Sequence, residues 1–177
     1  MFHIIPNIRT LVQAKYNLLY EKVDKCEHCN KLNPWKHGIR IRKTDRENPS
    51  SESLNPIDIQ RYYCTGCNKT FSSIPECISP RRWYSWIAQQ VVLRLFISGK
   101  SPYAIAKKCK PSYKTIKRWL TRAGDQCKYH KDALGALEEY TFLNRTIGFN
   151  DFWGKCLDEI PLGAAMRLCH ESGIIIP

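Results

Sequence analysis

Two cysteine pairs, Cys26-Glu-His-Cys29 and Cys64-Thr-Gly-Cys67, constrain this chain more than any other feature. A two-residue gap lets one tight turn offer both thiolates to a single ion, and zinc prefers four sulfur ligands in a tetrahedron. The expected cofactor is therefore one structural Zn2+ held by Cys26, Cys29, Cys64 and Cys67, with no open position for hydrolytic chemistry. Such a site substitutes for a large core, so the segment around it can be small and polar.

Nine cysteines in 177 residues could also suggest a disulfide scaffold. The count is odd, four of the nine sit in the pairs, and Pro6 and Arg9 interrupt what would have to be the apolar core of a leader. No run approaches the roughly 18 apolar residues of a membrane span, and Val91-Val92-Leu93 is cut by Arg94. The expectation is a reduced, cytoplasmic chain without a membrane partner, in which the Asn144-Arg-Thr146 sequon is fortuitous.

The first pair is followed by Pro34 to Lys43, where apolar and basic residues alternate as in a strand with a basic outer face, presenting Lys36, Arg40 and Arg42. A polar stretch from Thr44 to Pro56 reads as a loop, and Ile57–Tyr63 reads as the return strand to the second pair, continued by Lys69–Ser72. Strand, loop, strand with a cysteine turn at each end is a zinc ribbon over 22–78. The gap between Cys29 and Cys64 exceeds the usual roughly 15–20 residues, and the excess lies in the polar loop, where length costs little. Residues 1–21 read as a leading helix, its stripe of Ile8, Leu11, Val12, Leu18 and Leu19 packing on the ribbon or on a second copy. His28, His37 and Cys77 are spare candidates near the metal.

Charge is placed unevenly. Residues 1–124 hold 23 basic and 8 acidic groups, whereas 125–177 hold 5 and 8, within a total of +12. From Arg81 to Gly124 there are eleven Lys or Arg and no acid. The same segment, 79–124, carries three helix signals. Ile87, Val91 and Leu95 repeat at helical spacing up to Ser98-Gly99. Ser101-Pro102 opens a second helix to about Cys109, and Ser112 caps a third to about Arg122. Three short helices with a tight turn between the last two predict a helix-turn-helix. Ala106 and Cys109 fall at its inner positions, and Ile116, Trp119 and Leu120 on the inner face of its last helix. Lys114, Lys117, Arg118 and Arg122 face outward, with Tyr113 and Thr115 near the end that meets base edges. Arg81, Arg82, Lys107 and Lys108 are candidates for phosphate contacts. Double-stranded DNA is the expected partner.

Residues 125–177 read as a helical region over roughly 125–144 and 149–171, a candidate for protein interaction, ending in an apolar tail after Gly173. Cys127, His130, Cys156, Cys169 and His170 lack a C-x2-C or H-x3-H spacing, so buried cysteines are the better reading than a second metal site. Asp151, Asp158, Glu159, Glu138 and Glu139 raise a metal-dependent nuclease or recombinase as an alternative. Too little chain follows Gly124 for a mixed sheet to gather them. The fold class expected is α+β, mainly α.

Residues 22–124 resemble the N-terminal DNA-binding part of bacterial insertion-sequence transposases. The matching pieces are Cys26-x2-Cys29, then Arg61-Tyr-Tyr-Cys64-x2-Cys67-Asn-Lys-Thr-Phe71, then the helix-turn-helix. Lys110 stands where glycine is usual in the turn, and Pro111 follows where a small apolar residue is common. The resemblance implies recognition of transposon ends or an operator in a bacterial, nucleoid-associated setting. It carries over no strand transfer, so no catalytic residue is expected. An RNA- or RNA-polymerase-associated ribbon is the alternative of a different class.

Overall fold

The computed structural model describes residues 2–5, 22–42, 56–76, 78 and 84–174. Of the leading helix expected over 1–21, residues 2–5 form a strand instead; residues 6–21, Lys43, the expected loop as far as Asn55, Cys77, the phosphate candidates Arg81 and Arg82, and the tail after Ile174 lie outside the described residues. The chain is α+β, with about half of the described residues helical. It divides into two compact units, Met1–Ser85 and Trp86–Pro177.

The first unit is a four-stranded sheet in the order β1-β4-β3-β2, formed by β1 (Phe2–Ile5), β2 (Trp35–Arg42), β3 (Ile57–Cys64) and β4 (Lys69–Pro75). The last three are antiparallel neighbours, and β1 lies parallel to β4. No alternation in the first residues signals β1; its pairing is made with a strand about 70 residues away, which no local pattern can announce. A small core of Val23, Cys26, Tyr62, Cys64 and Phe71 lies beside the cysteine turns, and the Tyr62 and Phe71 rings stack at 5.6 Å.

The register of β2 corrects the expected basic outer face. Lys36 stands opposite Tyr62, but Ile39 stands opposite Gln60, so β2 carries one extra residue at His37-Gly38. Gly38 takes φ +93° there, a conformation that favours glycine. Because side chains alternate strictly, one inserted residue exchanges the faces of everything beyond it. Arg40 and Arg42 therefore share the face of Ile59 and Ile57, which are buried, while Ile39 and Ile41 lie exposed on the other face.

The second unit holds six helices and a 3-10 segment. They are α1 (Trp86–Ile97), α2 (Pro102–Lys108), α3 (Tyr113–Asp125), α4 (Cys127–Gly135), the 3-10 turns Glu138–Arg145, α5 (Gly148–Glu159) and α6 (Leu162–Glu171). Gly99, at φ +85°, ends α1; its N–H donates to Phe96 O and that of Lys100 to Leu95 O. Each expected long C-terminal helix is broken, the second at Pro161, which cannot continue the ladder.

The face of α1 also differs from expectation. Ile87 and Val91 are exposed; Trp86, Ala88, Gln89, Val92 and Leu93 are buried. The reason is what α1 packs against. One continuous core joins Trp86 and Leu93 of α1 to Leu134, Leu143, Phe152, Trp153, Cys156, Ala165 and Cys169, with Leu120 and Ala123 of α3 against it. Arg94 pairs with Asp158 at 3.0 Å, and the Leu162 N–H at the start of α6 donates to Gln90 Oε1 at 2.7 Å. Residues beyond 124 thus share a core with the three basic helices, and the boundary drawn at 124 falls inside one unit.

Candidate metal centre and nucleic-acid interface

Each cysteine pair closes a turn built in the same way. Cys26-x2-Cys29 is followed by Asn30-Lys31 and Cys64-x2-Cys67 by Asn68-Lys69, and both asparagines adopt positive φ, 58° and 54°. This repeated Cys-x2-Cys-Asn-Lys was in the sequence all along as a second signature of the turns. Asparagine tolerates the left-handed conformation that redirects the chain after the second thiol. Backbone N–H groups then point at the first thiol of each turn, His28 N–H at Cys26 Sγ and Gly66 N–H at Cys64 Sγ, both at 3.3 Å.

The two turns bring four sulfurs together. Cys26 and Cys67 Sγ lie 3.7 Å apart, Cys29 and Cys64 Sγ 3.6 Å apart, and all four fall within 4.8 Å of one another. A tetrahedron of sulfurs each about 2.3 Å from an ion has edges of about 3.8 Å, so the residues fit a four-coordinate metal ion. Among the described residues this is the one cluster of three or more His, Cys, Asp or Glu whose ligand atoms converge.

The thiols' acidities show why a cation suits the site. Burial pushes the Cys64 thiol up, but the N–H groups of Cys67 and Gly66 and the Cys29 and Cys26 thiols outweigh it and bring it down to about 6. Burial, opposed by the Lys69 N–H and joined by the other three thiols, pushes Cys67 up to about 11. One thiolate forms readily and disfavours the next, which is the condition a divalent cation relieves. His28 is half-buried with its imidazole pKa lowered, chiefly by burial, while His37 points to the ring of Tyr63; neither imidazole joins the sulfurs.

On the second unit, Ser101 Oγ accepts from the Ala104 N–H and Ser112 Oγ from the Thr115 N–H, so both serines cap their helices. Ile105 and Ile116 are fully buried at the meeting of α2 and α3, Pro111 is buried in the turn, and Trp119 closes the inner face of α3. Ala106 and Cys109 are only half-buried. Tyr113, Lys114, Lys117, Arg118 and Arg122 are exposed on one continuous outer face of α3, and Lys107 and Lys108 are exposed on α2. Thr115 is half-buried, its hydroxyl 3.0 Å from that of Ser112, which makes it part of the cap.

Of the sheet candidates, Lys36 and Arg40 are exposed, whereas burial and then Arg40 bring the Arg42 guanidinium down to about 10. Not every base of the acid-free segment is available, since Arg94 is committed to Asp158.

Two of the acids weighed as a catalytic cluster, Asp151 and Asp158, are engaged separately, Asp158 with Arg94 at 3.0 Å. Asp151 accepts the Ile147 N–H at 2.8 Å and pairs with Lys155 at 2.9 Å, which together hold its carboxyl below the usual range. Cys156 and Cys169 are fully buried in the core, and burial pushes both thiols up to about 12. Cys127 is half-buried against the same core.

A family model described as "Domain of unknown function (DUF6431)" matches residues 26–119, from the first cysteine turn to Trp119 of α3. No curated protein and no solved structure matches the chain.

Proposed function

The chain belongs to the DUF6431 family, and from that premise we propose that it is a zinc-dependent, sequence-specific reader of double-stranded DNA. The matched span takes in both the sulfur cluster and α2–α3, which favours one function drawing on the two together. In this reading the ion is zinc, it acts as a cross-link, and the sheet around it is a zinc ribbon. Helices α1 to α3 are a helix-turn-helix, with α3 entering the major groove.

The observation that carries the proposal is the outer face of α3. Tyr113, Lys114, Lys117, Arg118 and Arg122 stand there together, on a helix seated by Ile116 and Trp119 and started by a capped turn. The absence of any acid from Arg81 to Gly124 keeps the potential of that face positive. Lys107, Lys108, Arg81 and Arg82 serve phosphates, and Lys36, Arg40 and Arg42 add the ribbon's charge. The resemblance of residues 22–124 to the DNA-binding part of insertion-sequence transposases supports a mobile-element context. The chain acts there by binding.

Duplexes selected from a random pool by the zinc-loaded chain provide the test. Lys117→Ala or Arg118→Ala lowers affinity for the selected site by roughly tenfold or more, a share typical of a base-reading side chain. The thermal midpoint stays where it was, because both side chains are exposed. Unchanged affinity in both variants defeats the assignment of α3 as the reading helix.

A further inference from the structure

The extra residue in β2 has a consequence for what the sheet can hold. Without it, strict alternation would place Trp35, His37, Ile39 and Ile41 on one face. The bulge at His37-Gly38 instead places Arg40 and Arg42 on the face of Trp35, which stands opposite Tyr63. His37 completes the group, its ring 5.8 Å from that of Tyr63 and tilted by 40°. Tyr63 is oriented by its hydroxyl, which donates to Asn68 Oδ1 at 2.9 Å. Arg61, two residues before Tyr63, joins the same face and donates to Thr70 Oγ1 at 3.3 Å.

Trp35 is 68% exposed, an unusual cost for the largest apolar side chain unless something covers it. We propose that the face of Trp35, His37 and Tyr63 is a stacking platform for unpaired nucleobases of a single strand, with Arg40 and Arg61 holding its phosphates. The inference rests on the reading of the ribbon as a nucleic-acid contact and narrows what that contact is.

The chemistry favours this occupant over an apolar peptide or a second copy of the sheet. The described residues of this face on β2, β3 and β4 include no carboxylate, and the one acid on these three strands, Asp58, lies on the other face beside Ile41. A second copy would set one basic strand against another, and like charges directly opposite are destabilising. A polyanion carrying flat rings satisfies both features at once. Tryptophan and tyrosine stand opposite each other across the strand pair, and every base has a face to stack on such rings. A duplex offers only base edges and phosphates, because its bases are already stacked on one another.

The test uses the full, zinc-loaded chain and fluorescein-labelled oligo(dT) and oligo(rU) of about 20 nucleotides, read by anisotropy. Binding of either oligomer is expected, the tighter one identifying the sugar. Trp35→Ala weakens it by roughly tenfold or more, while Trp35→Phe, which keeps a ring, stays near wild type. Arg40→Gln lowers the slope of log affinity against log salt by about 0.7, the share of one phosphate on a single strand. Trp35→Ala leaves affinity for the duplex selected through α3 unchanged, so failure of the α3 assignment is separable from failure here. His37→Ala, with zinc content and melting checked in each variant, gives a second reading of the platform. Absence of binding to both oligomers overturns the proposal. So does wild-type affinity in Trp35→Ala, or an equal loss of affinity for a fully paired hairpin, which would assign the ring to duplex contact.

Discussion

At the scale of single residues, His130 is the most exacting position outside the sulfur cluster. It is 1% exposed, its ring lies edge-on to Trp153 at 5.4 Å, and neither ring nitrogen has a hydrogen-bond partner. Burial brings its pKa down to about 4 from the ordinary 6.5. The unfolded chain therefore takes up a proton at a higher pH than the folded one. The stability that a neutral His130 contributes is complete above about pH 6.5 and is lost as pH falls toward 4. The expected loss is about 2 kcal/mol between pH 7 and pH 5, where melting midpoints measure it, and about 3 kcal/mol by pH 4. His130→Leu removes both unmatched nitrogens and flattens that dependence; an identical slope in the variant refutes the assignment. For Cys127 and His130 the sequence favoured burial over a second metal site only through the lack of a ligand spacing. Only the packing of α4 on α5 distinguishes them, because burial is a property of neighbours that one helix does not contain.

At the scale of elements, caps and turns were the most legible features. Ser101-Pro102 and Ser112 start their helices as expected, because N-cap chemistry is local to about four residues. Ser112→Ala removes the acceptor for the Thr115 N–H and the hydroxyl beside Thr115 Oγ1. A loss of about 1 kcal/mol in chemical denaturation is expected, and a change within a few tenths would show that the turn is held by Pro111 and Ile116 instead. Faces were less legible than starts. The stripe of Ile87, Val91 and Leu95 indicated a helix correctly but its buried side incorrectly, since Trp86, Ala88, Val92 and Leu93 meet the core. Two apolar stripes compete on α1, and periodicity alone does not say which one a partner helix will cover. The strand β2 failed in the same way for another reason, because a one-residue bulge reverses the faces without altering composition.

At the scale of the whole molecule, two compact units imply two responses to metal removal. The 22–42 and 56–76 segments bury a core of a few side chains beside the sulfurs, whereas 86–174 has a large continuous core and no metal ligand among its described residues. A strong chelator is expected to unfold the first and leave the second folded. Hydrogen exchange localises the loss: protection disappears over β2–β4 and persists over α1–α6, and a single cooperative loss of both would contradict this. By itself, the sequence determined which four cysteines converge, the capped turn and the outward basic side chains of α3. All depend on spacing within a few residues or on the charge of a continuous segment. The tertiary structure alone decided that β1 joins β4, that the arginines of β2 share a face with Trp35, and that the helices after 124 complete the core of those before it. These depend on which distant residues meet, and pairing across such distances is chosen by the burial of all the surfaces together.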